Sequence, residues 1–223
     1  MGILLLIVTI MIGILFALRL YSFENSEFRK ITGHSLYSIW ANPHVKNTYK
    51  LVQSLKYLQG EHKLLVNVAF NGANKNIDAI VIHESGIYIF SIQSMNGWIY
   101  GREQDGQWAQ AVHKQDKLNT FENPINEMKR AVLNLKESLT NVKEDLFHSI
   151  VLFTDSCSLK KIMTKSNNVS VIKVNELKRF WKKRTDKKLT VEDIQKIHHS
   201  LEQFVNIHQP SYKMNMDQAT TNH

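Results

Sequence analysis

Residues 76–101 read NIDAIVIHESGIYIFSIQSMNGWIYG, and this stretch decides the fold. Ile77, Ala79, Val81 and Ile82 are strand formers, as are Ile87, Tyr88, Ile89, Phe90 and Ile92. The intervening His83-Glu84-Ser85-Gly86 supplies turn residues, so the stretch is predicted to be a β-hairpin followed by a Gly-containing corner. Within these apolar strands sits one carboxylate, Asp78. A turn about Glu84 and Ser85 sets Asp78 opposite Ser91, and a slip of one pair brings it to Gln93. Side chains alternate across a strand, so Ser91 and Gln93 share a face that Asp78 can also address. Polar residues converging in an apolar hairpin mark a site, or what is left of one.

The stretch resembles the nuclease-related domain (NERD) family, a branch of the PD-(D/E)XK restriction-endonuclease-like superfamily. In that family a strand ending in Gln-Ile-Asp-His leads through a Gly turn into a strand carrying Glu-x-Lys, then Asn-x-x-Gly. This chain has Asn76-Ile77-Asp78-Ala79, Gly86-Ile87-Tyr88, and then Ser91-Ile92-Gln93 where Glu-x-Lys should stand. Gly97-Trp98-Ile99-Tyr100-Gly101, Trp108 and Asn123-Pro124-Ile125 follow at family spacing, with Asn126 and Glu127 where the family often has Gln. The family's first helix usually adds an acid, and the aligned position here is Thr48. The resemblance covers about residues 44 to 180. It implies an α/β domain with a restriction-endonuclease-like mixed central sheet flanked by helices, and a degenerate catalytic motif.

Hydrolysis of a phosphodiester by this chemistry needs a hard cation held by two or three carboxylates. A lysine then stabilises the charge that develops. Ser91 is a poor ligand for Mg2+, Gln93 carries no charge, and Asp78 alone would hold a metal weakly. Asp78, Ser91 and Gln93 are thus read as vestigial motif positions, and Thr48 as the position of the missing acid. No cofactor is expected. The alternative is an active nuclease with migrated acids, using Mg2+ or Mn2+, for which Glu61 is the rescue candidate and Glu84, at the hairpin tip, is poorly placed.

The remaining chain frames this domain. Met1–Leu18, MGILLLIVTIMIGILFAL, has no charged side chain and ends at Arg19. At ~1.5 Å per residue it is about 27 Å long as a helix, close to the hydrocarbon thickness of a bilayer. It lacks the basic start and small-x-small cleavage pattern of a secretory signal. A single-pass anchor (1–20) is expected. Arg19, Arg29 and Lys30 all follow it, which by the positive-inside rule sets the N-terminus outside and the soluble domain in the cytoplasm, at the cell membrane. The lone Cys157 suits a reducing compartment. Tyr21 and Phe23 are expected at the membrane interface.

A connector (21–42) with a short helix near 27–31 leads to the α/β domain (43–184). Pro43 opens a helix whose stripe is Val45, Tyr49, Val52 and Leu55. Leu64, Val66, Val68 and Phe70 alternate as a strand, and Asn71–Asn74 form a turn. Asp105-Gly106 centres a second hairpin across which Trp98 and Trp108 are expected to pack. Asn123 caps a helix burying Ile125, Met128, Val132, Leu135 and Leu139. Residues 150–154, IVLFT, read as a strand buried on both faces, and Val169, Val171 and Val174 as another. Thr190 to Asp193 form a capping box for a C-terminal helix (185–208) that buries Ile194, Ile197, Leu201 and Val205, before a disordered tail (209–223).

The net charge is +8 over 223 residues. Basic residues crowd between Cys157 and Leu189, interleaved with Phe180 and Trp181. Lys178, Arg179, Lys182, Lys183 and Arg184 are the candidates for gripping DNA, RNA or anionic lipid. A solvated basic helix is the plainer reading, and no protein partner can be named. No Gly-rich phosphate loop or paired-Cys zinc motif is present. Two readings follow. One is a membrane-anchored, catalytically impaired nuclease-fold protein that binds nucleic acid or a partner; the other is the active nuclease.

Overall fold

A computed structural model describes residues 2–69, 76–112 and 117–205. The Asn71–Asn74 turn, Phe70 and the 209–223 tail lie outside the described residues. The fold is mixed α/β, with two mixed sheets flanked by helices. The hairpin forms as its sequence dictates: β2 (Ile77–His83) and β3 (Gly86–Gln93) pair antiparallel, with His83 opposite Gly86 across Glu84 and Ser85. Ile80, Ile82, Ile87 and Ile89 are fully buried, each contributing ~1.5–3 kcal/mol of apolar transfer.

β1 (His62–Val68) adds antiparallel to β2. On the other side β7 (Phe147–Phe153) and β9 (Val169–Lys173) add parallel to β3, giving the order β1-β2-β3-β7-β9. Burial on both faces explains the unbroken apolar run of β7. The second sheet has the order β6-β5-β4-β8, formed by β4 (Gly97–Arg102), β5 (Gln107–Ala111), β6 (Asn119–Glu122) and β8 (Cys157–Met163).

Two cores flank the five-stranded sheet. One lies beneath α4 (Pro43–Ser54) and α6 (Leu177–Lys182), with Leu51, Val81, Phe90, Leu152 and Trp181. The other lies beneath α5 (Pro124–Ser138) and α7 (Val191–Glu202), with Ile80, Ile89, Trp108, Met128, Val151 and Ile194. Asn42 and Asn123 cap α4 and α5 through their side chains, each with Pro in the first turn. Thr190 and Asp193 form the expected reciprocal cap of α7, and Ile194, Ile197 and Leu201 are buried, with Val205 half-buried.

Three expectations are corrected. Trp98 and Trp108 do not pack together: Trp98 stands opposite Ala111, while Trp108 stacks on Phe153 at 6.2 Å. Gly101 makes room for that indole, since a Cβ there would come within 2.2 Å of it. Val68 does not continue the face of Leu64 and Val66. Those two lie in the α4-side core, whereas Val68 joins Leu65 in the other. Asn67 causes the switch, with φ of 58°, a left-handed conformation that Asn tolerates better than most side chains.

The third correction concerns Phe23. Helix α1 (Gly2–Glu24) runs past Leu20, and Phe23 is buried against Phe28 and Tyr49, with ring centroids 6.3 and 6.4 Å away. Phe23 therefore belongs to the domain core and not to a membrane interface. α2 (Glu27–Thr32) and α3 (Leu36–Ala41) follow, capped by Ser26 and Ser35, and bury Phe28 and Ile39 in the same core. The short helix expected near 27–31 is thus α2, and the segment packs against the domain core. α1 is itself long and apolar enough to cross a membrane.

Candidate functional site

Asp78 lies near the start of β2 and is buried. The turn falls at Glu84 and Ser85 as expected, and regular pairing ends with Ala79 opposite Phe90, one residue short of Asp78 and Ser91. Its carboxylate is engaged twice: Oδ2 accepts the Ile92 backbone N–H at 2.6 Å, and Oδ1 lies 3.2 Å from His44 Nε2. Ser91 and Gln93 do not reach into this pair. The Gln93 amide donates to Ser91 Oγ at 2.9 Å. Where the family places an acid and a lysine, this chain has two neutral groups bonded to each other.

His44 enters because α4 begins there. Asn42 caps the helix, Pro43 opens it, and the first turn aims the imidazole at Asp78. Thr48 is one turn further on the same face, buried, its hydroxyl donating to the His44 carbonyl at 3.0 Å. That relation to His44 sets the expected missing-acid position beside the Asp78 contact. Asn47 fixes the next loop by donating to Ser94 Oγ at 3.2 Å. Sequence reasoning overlooked His44, although the i, i+4 relation to Thr48 was available.

The backbone around Asp78 is also unusual. Val66 pairs with Ala79 and Val68 with Ile77, so Asn67 and Asp78 face each other between them. Ile77 lies in one core and Ala79 in the other, as do Val68 and Val66. Both strands thus change face at the same rung.

Glu61 is not a substitute ligand. It precedes β1 at the end where His62 pairs with His83, and its N–H donates to Glu84 Oε1 at 3.2 Å. Asp78 is five residues back along β2, about 17 Å away at ~3.3 Å per residue. Glu61 and Glu84 therefore belong to the turn end, and the migrated-acid arrangement does not assemble. Among the described residues no group of three His, Cys, Asp or Glu could hold a metal. Mg2+ asks for several oxygen ligands in near-octahedral array. One carboxylate already committed to an N–H and an imidazole does not fit that ion.

The basic run divides among several elements instead of forming one patch. Arg184 stacks on Phe180 at 4.3 Å and near Tyr88 at 5.6 Å, its Nε buried with no hydrogen-bond partner among the described residues. It is a packing residue. Arg179 pairs with Glu176 at 2.7 Å, and Lys178 lies 5.0 Å from the Tyr57 ring. Lys182 and Lys183 are exposed. Lys187 and Lys188 pair with Glu84 and Asp145.

Beside this lies an open recess of about 860 Å³, lined by Ser158, Lys160, Lys173, Asn175, Glu176 and Arg179. Lys160 also sits over the Trp98 ring at 5.2 Å. Gln93, Phe153 and Lys173 stand in register on adjacent strands. Lys173 is therefore two strands from Gln93, about 10 Å at ~4.8 Å spacing.

Comparison with known proteins bears on the same region. Residues 44–154 match the model of the nuclease-related domain. An uncharacterized protein of Bacillus anthracis is 28% identical over 130 residues, which are 58% of this chain and 59% of the relative. The chain thus aligns with about three-fifths of that relative's length. No solved structure matches. The matched segment holds the hairpin, Asp78 and the His44 contact, and through this nuclease-related domain the chain belongs to the NERD family.

Proposed function

We propose that the protein is a membrane-anchored nuclease-fold domain that binds nucleic acid without cutting it. The observation that carries this reading is the Asp78 carboxylate held by Ile92 N–H and His44 while Ser91 and Gln93 bond to each other. Hydrolysis would need two further charged groups there, and each such loss costs orders of magnitude in rate. The recess supports polyanion binding, because Lys160, Lys173 and Arg179 outnumber Glu176 in its lining, and Lys173 stands about 10 Å from Gln93. Trp98 beside Lys160 offers a ring for a base. α1 supplies the anchor, and the basic residues that follow it favour a cytoplasmic domain.

The test uses the full chain in detergent micelles. Binding to DNA and RNA should weaken steeply with salt, and Lys160→Gln with Lys173→Gln should flatten that slope. Mg2+ or Mn2+ should elicit no cleavage from the wild type. Cleavage abolished by Asp78→Ala would establish an active nuclease and overturn the reading. Preference for anionic vesicles over nucleic acid would redirect the recess to lipid.

A further inference from the structure

Helix α3 carries an outward face that nothing in the fold covers. Tyr37 is 76% exposed and Trp40 70% exposed. They are three residues apart, so they project from the same side of the helix, while Ile39 points into the core. Two large aromatic rings in solvent on a six-residue helix are a costly arrangement unless something receives them. Each ring has an apolar body and one polar handle, the combination that favours a membrane–water boundary.

The position of α3 identifies the surface that receives it. The uncharged run of α1 ends at Leu18, and Phe23 is already in the domain core, about 7.5 Å further at ~1.5 Å per residue. Phe23, Phe28, Ile39 and Val45 belong to one cluster, in which α2 packs against the root of α1 and α3 packs against α4. No free linker separates α3 from the end of the apolar helix. Exposed Arg19 and Lys30 flank the same region, and basic side chains there favour anionic headgroups.

We infer that the Tyr37–Trp40 face of α3 rests in the headgroup region of the bilayer crossed by α1, as a second foot that fixes the orientation of the domain. The inference builds on the anchor reading. It places the α3–α4 corner, and with it His44 and Asp78, next to the membrane surface. The site would then be approached along the bilayer, not from open solvent on all sides.

The experiment uses the full chain in nanodiscs of phosphatidylcholine and phosphatidylglycerol, with lipids brominated near the top of the acyl chain as a tryptophan quencher. Trp108 and Trp181 are 1% exposed, and Trp98 sits under Lys160. Trp40 should therefore dominate lipid quenching. Trp40→Phe should remove at least half of it, with an unchanged melting temperature, and Trp98→Phe should leave it intact. Equal quenching in wild type and Trp40→Phe, with the chain retained after a carbonate wash, would overturn the second foot and leave the anchor standing. Trp40 shielded from aqueous acrylamide yet insensitive to brominated lipid would mean a protein cover, and the proposal falls. Release of the chain by carbonate would remove both readings.

Discussion

The two ends of the central hairpin are both polar and buried, yet they are built on opposite principles. At the turn end His83 Nε2 donates to the Gln59 carbonyl at 2.7 Å. Its Nδ1 accepts from the Ser85 N–H at 3.1 Å and the Ser85 hydroxyl at 2.7 Å, and Ser85 Oγ accepts from Tyr88 at 2.7 Å. These groups form a closed neutral circuit, and Tyr88 stacks on His148 at 4.9 Å. At the motif end one carboxylate faces an imidazole, and Ser91 and Gln93 bond to each other. A circuit in which each group serves another is a device for holding shape. A single acid held by one N–H and one imidazole is a simpler arrangement, with no such circuit around it.

The contrast can be broken by substitution. The largest effect is expected for Gly86→Ala, because φ is 146° and the new Cβ would lie 2.7 Å from the Leu146 carbonyl. A loss of roughly 3 kcal/mol or more in chemical denaturation should follow. His83→Ala opens the circuit and strands Ser85 and the Gln59 carbonyl, costing about 2–3 kcal/mol. If it is silent, the turn end is not a closed device.

Acid should act at the same end. Burial lowers the His83 pKa, against the Gln59 hydrogen bond. Burial, with Arg184 and Lys188 nearby, pushes His148 down to about 4. Both charge more readily when unfolded, so each stabilises the fold less as pH falls below the ordinary histidine range, and for His148 the contribution is whole above pH ~6.5 and is lost as pH falls toward about 4. Allowing for partial solvent screening, His148 accounts for on the order of 2 kcal/mol. Melting temperature followed across that range in wild type and His148→Phe checks this, and the variant should show the shallower slope.

The smallest effects belong to the motif end. Ser91→Ala and Gln93→Ala break one neutral hydrogen bond and should each cost about 0.5–1 kcal/mol. A cost of several kcal/mol would mean that the motif has acquired a structural duty of its own.

The hairpin was legible because an apolar pattern interrupted by His83-Glu84-Ser85-Gly86 admits few registers, and the observed one sets His83 opposite Gly86 and Ala79 opposite Phe90. β8 was hidden for the opposite reason. Its Lys160 and Lys161 read as part of a charge run, and its pairing is parallel to β4, more than fifty residues earlier. Asn67 looked like an interior strand residue, since a left-handed φ leaves no periodic trace in composition. Phe23 looked like an interfacial anchor because an aromatic after an apolar helix is equally consistent with a membrane boundary and a protein core. Glu61 was read just before its strand, where it lies, but the antiparallel pairing of that end with His83 sets it at the turn end of the hairpin, away from Asp78. Glu103 gave no signal at all. Burial pushes its carboxyl up, but the Ser166 hydroxyl, the Ser166 and Lys165 N–H groups and the Lys129 ammonium outweigh it and hold it at about 2.

Phe23 has a further consequence for how this chain can change over generations. The ring that seats in the domain core belongs to the same helix as the apolar run before it. Each residue added or removed between Leu18 and Phe23 would turn that ring by about 100° and shift it ~1.5 Å along the axis. Substitutions among the apolar residues leave this phase untouched, whereas a single insertion would set the core and the apolar run out of step. The segment is tolerant in composition and strict in length, like a key whose metal can vary but whose teeth must keep their spacing.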